Sequence, residues 1–449
     1  MSTTKNLISL FSGALGLDLG LEKAGFVLKA AVEYNQSAIQ TIKDNQKHLE
    51  SKKLVIIDKP VSLKNVGEIC EEILRKTRLK KSGRYVLAGA PPCQPFSTAG
   101  KRASLKDSRS CGFAIFLEAI RILRPKFFVI ENVKGILSAA KKHRPLAERG
   151  PGFPQLTSEE EHGSWFKNLL DDLNEICNDI GYCVTWGLIN SADYGAPQVR
   201  ERVIFIGSLD GHFVWPEPTH SKDKNNGTKK WVVLRTGLKG LKDPEPTYKE
   251  FSKDISNYLK LVPEGSNWRA LPKNLKPKAI GAAFKSWGGR VGFLRRLSWT
   301  KPAPTITNNP KTKATMLCHP TKTRPLSVRE CARIQQFPDD WNFSGSTAAQ
   351  YRQIGNATPL SIGMAIGDSI RNVEDNGTNE LYPKKLYCAD PVLLERIIKS
   401  PKTKLNPPRM RKIKDPKKAS EWLNGSANKR TDFEKYEAMS PTEAATCFK

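Results

Sequence analysis

Short apolar runs alternate with amphipathic stretches through the first 210 residues, and this alternation constrains the fold more than any other feature of the sequence. Amphipathic segments such as Cys111–Leu123 and Trp165–Ile180 lie between the apolar runs. Strands that alternate with helices predict an α/β fold, in which helices cover a parallel sheet and ligands bind at the carboxyl ends of the strands. The predicted strands are Leu7–Phe11, Leu28–Val32, Val55–Ile57, Tyr85–Ala88, Phe127–Ile130, Val184–Leu188 and Val203–Ile206.

The texture of the chain changes at about residue 212, where periodicity fades and Pro, Gly, Lys, Asn and Trp become frequent. We interpret this block as a separate, smaller domain with long loops. The helical pattern returns at residue 326, with helices predicted at Val328–Gln335 and Pro359–Ile370. The remainder is polar and rich in Lys, Arg and Pro, which predicts a basic extension. The predicted units are therefore 1–211, 212–325, 326–372 and 373–449.

The formal net charge of +28 indicates an acidic partner, a nucleic acid or a membrane surface. The chain has no apolar run of 18 residues and no basic amphipathic helix with an aromatic face, so a membrane partner is disfavoured. Its nine cysteines include no C-x-x-C pair, so we predict no metal site, and their odd number suits a reducing cytosol.

The first predicted strand leads into a tight turn with little side-chain bulk, because Gly13 and Gly16 follow Phe11 and Ser12. The turn lacks the G-x-G-x-x-G spacing of dinucleotide-binding dehydrogenases, but it has room for a nucleoside with an amino-acid tail. Glu33 ends the second strand, where a carboxylate can accept both hydroxyls of a ribose. Asp58 ends the third strand, where it can accept from an adenine amino group. Taken alone, each acid is better explained as a solvated strand end.

The fourth strand runs into the segment AGAPPCQPFS, which presents Cys93 between Pro-Pro and Gln94-Pro95. Prolines stiffen the backbone and so hold the thiol in one place. A lone cysteine is more often a small buried hydrophobe, but this setting favours a nucleophile.

Two further segments place polar side chains at strand ends. FFVIENVKG delivers Glu131 and Asn132 after a buried strand, where an apolar setting favours a protonated carboxyl. In YGAPQVRERVIFIG, Gln198, Arg200 and Arg202 alternate, which predicts one shared strand face suited to a phosphate or a base oxygen. The alternatives are an ordinary strand-end acid and a surface strand with salt bridges.

These segments, in this order, resemble the DNA (cytosine-5) methyltransferase family over about residues 5 to 372. The resemblance implies an S-adenosylmethionine-dependent methyltransferase (Rossmann-like) sheet, with a smaller target-recognition domain in the block of changed texture. It also implies methyl transfer from S-adenosylmethionine to carbon 5 of cytosine. The stretches that carry the resemblance are FSGALG, Glu33, Asp58, PPCQPFS, ENV, QVRER, RPLSVRECARIQQFPDDW and IGNATP.

The family resemblance assigns seven residues to the cofactor. Phe11 would stack on the adenine, and Gly13, Leu15 and Gly16 would lie near the amino-acid part. Glu33 would bind the ribose. Asp58 would bind the adenine and Asn356 would complete the pocket. Leu15 departs from the family, which often has glycine there.

The family resemblance also assigns the catalytic residues. Cys93 would be the nucleophile, Glu131 would meet the cytosine ring nitrogen and amino group, and Arg200 and Arg202 would secure the flipped nucleotide. The residues expected to bind substrate are Gln94, Asn132 and Gln198. Gly112 departs from the family, which often has leucine at that place.

The implied partner is double-stranded DNA, and the implied setting is a bacterial or phage restriction-modification system. We expect a monomer in the cytoplasm, associated with the nucleoid through DNA. A cognate restriction endonuclease would act on the same site without forming a stable complex. Two alternatives remain open: a transfer-RNA cytosine-5 methyltransferase and a catalytically inactive DNA-binding regulator, against which the intact catalytic residues argue.

Overall fold

An eight-stranded sheet forms the centre of the computed structural model, in the order β12-β6-β8-β5-β4-β1-β2-β3. The model describes residues 5–92, 112–142, 144, 149, 153–211, 213–223, 227–285, 290–376 and 386–389. The strands of this sheet are β1 (Asn6–Leu10), β2 (Val27–Val32), β3 (Val55–Ile57), β4 (Tyr85–Gly89), β5 (Phe127–Val133), β6 (Cys183–Asn190), β8 (Glu201–Ser208) and β12 (Leu386–Cys388). All seven predicted strands are confirmed, with bounds that differ by up to three residues.

The sheet is mixed rather than wholly parallel, because β8 runs antiparallel to both β5 and β6. The purely parallel sheet predicted from the sequence is wrong at this strand. Parallel neighbours need a long crossover that usually contains a helix. Only a single 3-10 turn, at Ser191–Tyr194, and the short strand β7 (Gln198–Val199) lie between β6 and β8, so the chain turns back beside the strand it has just left.

Side chains alternate between two apolar cores, one on each face of the sheet. On β5, Phe127 and Val129 belong to one core, while Phe128 and Ile130 belong to the other. Such strands are buried on both faces and therefore read as continuous apolar runs in the sequence.

The helices of the described residues are α1 (Gly16–Lys23), α2 (Gln36–Asp44), α3 (Val66–Thr77), α4 (Gly112–Leu123), α5 (Ser164–Ile180), α6 (Leu234–Gly237), α7 (Lys253–Lys260), α8 (Lys276–Ile280), α9 (Val328–Ile334), α10 (Thr347–Asn356) and α11 (Leu360–Asn376). Some of them begin at a side-chain cap. The Asn35 side chain accepts a hydrogen bond from the Ala38 N–H at the start of α2, and Ser327 and Glu330 form a reciprocal capping box at the start of α9.

A third apolar cluster lies entirely between Phe251 and Cys318, within the block of changed texture. The buried Arg296 guanidinium organises this region by donating to the carbonyls of Leu259, Val262 and His319. The chain leaves the sheet through β9 (His220–Ser221) and β10 (Lys229–Lys230), and it returns through β11 (Ala303–Pro304), which pairs with β7.

Residues beyond the predicted end of the sheet region also join the fold. Helix α11 continues to Asn376, and β12 pairs in parallel with β6 at the edge of the sheet. The Ala389 N–H extends this ladder by donating to the Trp186 carbonyl at 2.7 Å. The described part of the predicted basic extension is therefore the end of α11 together with an edge strand, and its remainder lies outside the described residues.

Helices α1 and α11 approach each other through glycines. A Cβ atom on Gly363 would lie 2.9 Å from the Cα of Gly20, and one on Gly20 would lie 2.7 Å from the Cα of Gly363. Both distances are too short for real Cβ contacts, and the opposing atoms are backbone, which cannot swing aside. The two helices therefore require glycine at both positions.

We expect Gly363→Ala to lower the free energy of unfolding by about 1–3 kcal/mol, because the added methyl group overpacks the helix contact. Gly67→Ala is the matched control, because a Cβ there would meet nothing within 4 Å in helix α3. Alanine at this helical position should stabilise the protein by up to about 1 kcal/mol. Urea unfolding measures both values, and equal effects of the two substitutions would contradict the glycine contact.

Candidate active site

The turn after β1 has an unusual backbone, because three of its five residues occupy the left-handed region. Phe11 has φ 56°, Gly13 has φ 53° and Leu15 has φ 66°. This region is uncommon for residues other than glycine, and such conformations concentrate at functional sites. The turn is therefore held in place by its surroundings.

The Glu33 carboxylate stabilises this turn by accepting backbone hydrogen bonds. Its Oε2 accepts from the Gly13 N–H at 2.8 Å, and its Oε1 accepts from the N–H groups of Tyr34 and Asn35 at 2.9 and 2.8 Å. Glu33 is nearly buried and directly follows β2, which lies beside β1 in the sheet. One carboxylate thus fastens two neighbouring strand ends together at the carboxyl edge of the sheet.

The residues predicted to bind a cofactor gather at this edge. Gly16 lies against the backbone carbonyl of Thr358, which brings the first turn beside the turn that contains Asn356. Asp58 follows β3 on the same edge, is exposed, and accepts two hydrogen bonds from Gln36 Nε2 at 2.9 and 3.0 Å. Asn356 is also exposed, at the end of α10.

Tyr34 is a residue that the sequence reasoning missed. It follows Glu33 directly, and 59% of its surface is exposed despite its size. An exposed aromatic ring beside an acid at a strand end offers a stacking surface for a planar ligand. Its position next to Glu33 was the available signal.

Glu131 and Arg202 form a buried ion pair across the β5–β8 ladder. The Arg202 Nε lies 2.7 Å from Glu131 Oε1, with side-chain exposures of 9% and 6%. The contact is close but is not aligned as a regular hydrogen bond to this oxygen. Burial lowers the pKa of Arg202, and the Glu131 carboxylate opposes that shift. The pair places opposite charges at the end of β5.

Asn132 connects this strand end to the segment that precedes Cys93. Its Nδ2 donates to the Pro91 carbonyl at 3.0 Å, and its Oδ1 accepts from the Val133 N–H at 2.8 Å. Gly112 packs against the same prolines, because a Cβ there would lie 2.7 Å from Pro92 Cδ. This contact gives a physical reason for glycine at position 112. Cys93 and Gln94 themselves lie outside the described residues.

Gln198 and Arg200 occupy a different setting from the substrate-facing strand predicted for them. Both side chains are buried, and Arg200 lies between β7 and β8 rather than within either strand. The Arg200 guanidinium donates to the carbonyls of Ile306 and Gly355, each at 2.7 Å. Of the three alternating residues, Arg202 is the one that pairs with Glu131.

The described part of the chain has neither a metal-binding cluster nor a membrane-spanning helix. Within those residues, no group of three or more His, Cys, Asp or Glu side chains could hold a metal ion. None of the helices described there is long and apolar enough to cross a membrane.

The eight-stranded sheet has the α/β fold of a methyltransferase. The chain matches a solved structure with this fold, the crystal structure of a candidate DNA modification methyltransferase encoded within a prophage (E. coli). The match has a TM-score of 0.50 and 22% sequence identity, and it covers 83% of this chain and 99% of the other. At this level of identity it supports the fold alone.

The chain belongs to the C-5 cytosine-specific DNA methylase family, whose model matches residues 5–372. It is 34% identical to the Type II methyltransferase M.Sau96I of Staphylococcus aureus, over 81% of this chain and 75% of the relative. It is 33% identical to the Type II methyltransferase M.Eco47II of Escherichia coli, over 82% of this chain and 79% of the relative. The protein is a DNA cytosine-5 methyltransferase.

We expect Asn132→Asp to lower the rate of methyl transfer to DNA about tenfold or more, because a carboxylate cannot donate to the Pro91 carbonyl and is left buried without that bond. Asn65→Asp is a matched control, since Asn65 Nδ2 donates to the Pro60 carbonyl at 2.9 Å on the protein surface. Incorporation of tritium from labelled S-adenosylmethionine measures the rate. Equal losses in both variants would contradict a specific role for Asn132.

Proposed function

We propose that this chain methylates cytosine within a specific double-stranded DNA sequence through a covalent adduct with Cys93. Cys93 is the nucleophile, Glu131 acts on the target ring, and Arg202 holds Glu131 and the flipped nucleotide. The target base leaves the duplex for the reaction, because carbon 5 and carbon 6 are inaccessible to a nucleophile and cofactor within stacked base pairs.

The observation that carries this proposal is the hydrogen bond from Asn132 Nδ2 to the Pro91 carbonyl. Asn132 follows Glu131 directly, and Cys93 follows Pro91 by two residues. Two residues span at most about 7 Å of extended chain. The Asn132 contact therefore keeps the start of the nucleophile segment close to the Glu131–Arg202 pair. This arrangement supports a positioning role for Asn132, whereas the sequence indicated a substrate contact.

The residues at the carboxyl edge fit S-adenosylmethionine. A Cβ on Gly13 would meet nothing within 4 Å, so open space adjoins the turn. Within the described part of the chain, Glu33 Oε2 accepts one hydrogen bond, from the Gly13 N–H, which leaves capacity for a ribose hydroxyl. Phe11 and the exposed Tyr34 offer aromatic surface for the adenine. The remaining residues proposed for this pocket are Leu15, Gly16, Asp58 and Asn356.

Each residue of the proposed catalytic set has a defined task. When bound, S-adenosylmethionine supplies an electrophilic methyl group. The Cys93 thiolate forms a bond to carbon 6 of cytosine, which makes carbon 5 nucleophilic. Glu131 stabilises the charge that develops at the ring nitrogen by hydrogen bonding or proton donation. After carbon 5 is methylated, loss of its proton and of the Cys93 thiolate restores the aromatic ring.

The block between β8 and α9 has the charge expected of a DNA-binding surface. Residues 213–325 contain 23 lysines and arginines against seven acids, so they hold more than half of the net charge of the chain. Basic side chains neutralise phosphates and bring a protein to the duplex, while base contacts in the grooves select the sequence. We assign target recognition to this region, and Gln94 to contact with the target.

The biological setting follows from the relatives, which are Type II methyltransferases. We propose that this chain belongs to a restriction-modification system, in which it protects DNA from an endonuclease that acts on the same sequence. The two enzymes would share a site without forming a stable complex. The methyltransferase would act as a monomer in the cytoplasm, associated with the nucleoid.

We expect the enzyme to form a covalent adduct with duplex DNA that carries 5-fluorocytosine at its target, because fluorine cannot leave as a proton does. Bisulfite sequencing of plasmid DNA from expressing cells supplies the target sequence for this duplex. Cys93→Ala should abolish both the adduct and methyl transfer, whereas the control Cys388→Ala should retain both. A gel-stable adduct in Cys93→Ala would overturn the assignment. Tritium transfer to transfer RNA rather than DNA would support the RNA enzyme instead.

We expect Glu33→Gln to weaken S-adenosylmethionine binding by roughly 1.5–3 kcal/mol, because a charged acceptor of hydrogen bonds is lost. Glu68→Gln, at an exposed position in α3, is the control and should bind normally. Calorimetry of the free protein measures the affinity. DNA affinity should change little, and an unaltered cofactor affinity in Glu33→Gln would argue against the ribose contact.

A further inference from the structure

Three buried polar side chains, those of Gln198, Arg200 and Gln335, form a continuous hydrogen-bond network behind the candidate site. Gln198 Nε2 donates to Gln335 Oε1 at 2.6 Å, and Gln198 and Gln335 are fully buried. Arg200 joins the same network through Ile306, whose backbone contacts both Gln198 and Arg200. Buried polar groups of this kind are costly unless all their partners are in place.

One end of this network holds residues 303–308, the returning segment of the target-recognition region. Gln198 Oε1 accepts from the Ile306 N–H at 3.2 Å, and Arg200 Nη1 donates to the Ile306 carbonyl at 2.7 Å. Both backbone groups of one residue are therefore fixed. Thr305 Oγ1 adds a bond to the Val199 carbonyl at 3.0 Å, beside the β7–β11 pair.

The other end of the network holds residues 354–357, which we call the Asn356 turn. Arg200 Nη2 donates to the Gly355 carbonyl at 2.7 Å. Gln335 Nε2 donates to the carbonyls of Ile354 and Ala357 at 2.6 and 2.9 Å. Three carbonyls that bracket Asn356 are thus bound from inside the protein.

The two ends also touch each other directly. A Cβ on Gly355 would lie 2.5 Å from both the backbone nitrogen and the side-chain oxygen of Asn308. A shift of the returning segment would therefore press on the Asn356 turn.

The Arg200 guanidinium is committed to this arrangement. The side chain is 1% exposed, and both of its terminal nitrogens donate to carbonyls. Burial lowers the pKa of Arg200 well below its ordinary value, the neighbouring Arg202 adds to that shift, and Glu131 opposes it. Both terminal nitrogens are therefore anchored to backbone carbonyls inside the protein, and the Nε, which is buried without a hydrogen-bond partner in the described structure, is shielded from solvent as well.

We infer that Arg200 is a positioning residue that locks the returning segment of the target-recognition region to the Asn356 turn, rather than a residue that contacts the target nucleotide. The inference rests on the proposed placement of Asn356 in the cofactor pocket. Arg200 thereby makes the geometry of the pocket depend on the seating of the DNA-reading region. Gln198 acts in the same way through the amide of Ile306.

The first test measures affinity for S-adenosylhomocysteine by calorimetry in the absence of DNA. We expect Arg200→Lys to bind about tenfold more weakly, because the lysine ammonium cannot span the two carbonyls that the guanidinium joins. A residue that contacts only the target nucleotide would leave this affinity unchanged. An affinity equal to that of the unsubstituted protein would overturn the inference.

Arg296→Lys is the matched control, because Arg296 is also a buried arginine that donates to several carbonyls. Its partners all lie between Leu259 and Thr323, away from the Asn356 turn. Both variants should melt at a lower temperature, but only Arg200→Lys should lose cofactor affinity. An equal loss of affinity in Arg296→Lys would reduce the role of Arg200 to general stability and so overturn the proposal.

Gln198→Ala provides a second, milder variant if Arg200→Lys does not fold. It removes the bond to the Ile306 amide and should reduce affinity for S-adenosylhomocysteine in the same direction by a smaller factor. Unchanged affinity in folded Gln198→Ala would count against the proposed lock. If the unsubstituted protein itself fails to bind S-adenosylhomocysteine, the proposed cofactor site is wrong, which is a different result from failure of the Arg200 inference.

Discussion

Helices α1 and α11 approach so closely that no side chain fits between Gly20 and Gly363. This contact joins the start of the chain to a segment more than 300 residues later in the sequence. The turn before α1 contains Phe11 and Gly13, and the turn before α11 directly follows Asn356, the last residue of α10. Because helices are stiff, the glycine contact sets the distance between these two turns. The carboxyl edge of the sheet is consequently built from both ends of the family domain.

The same edge relies on polar side chains that bind backbone rather than solvent. Glu33 fastens the first turn to the end of β2, Asn132 fastens Pro91 to the end of β5, and Arg200 fastens two distant loops. A buried polar or charged group is expensive unless it is fully partnered, so each of these side chains tolerates few alternative arrangements. Irregular loops can thereby hold a defined shape where strands and helices have ended.

Much of the fold was readable from local patterns. The apolar runs located all seven predicted strands, because strands buried on both faces carry little else. The antiparallel direction of β8 was not predicted, because strand direction depends on what links the strands. The link between Asn190 and Glu201 has no long helix, and this feature could have indicated the reversal. Strand β12 was also missed, because a three-residue edge strand leaves little periodicity.

The sequence by itself determined which chemical groups stand at the strand ends, since residue type and its distance from an apolar run are local properties. It therefore placed Glu33, Glu131 and the segment before Cys93 at strand ends, while their roles in cofactor binding and catalysis stay predictions. Only the tertiary structure decided where Arg200 points. Its two carbonyl partners lie 106 and 155 residues away along the chain, and no local pattern records such partners. The alternation of Arg200 and Arg202 looks uniform in sequence, yet long-range hydrogen bonds give the two guanidiniums separate tasks.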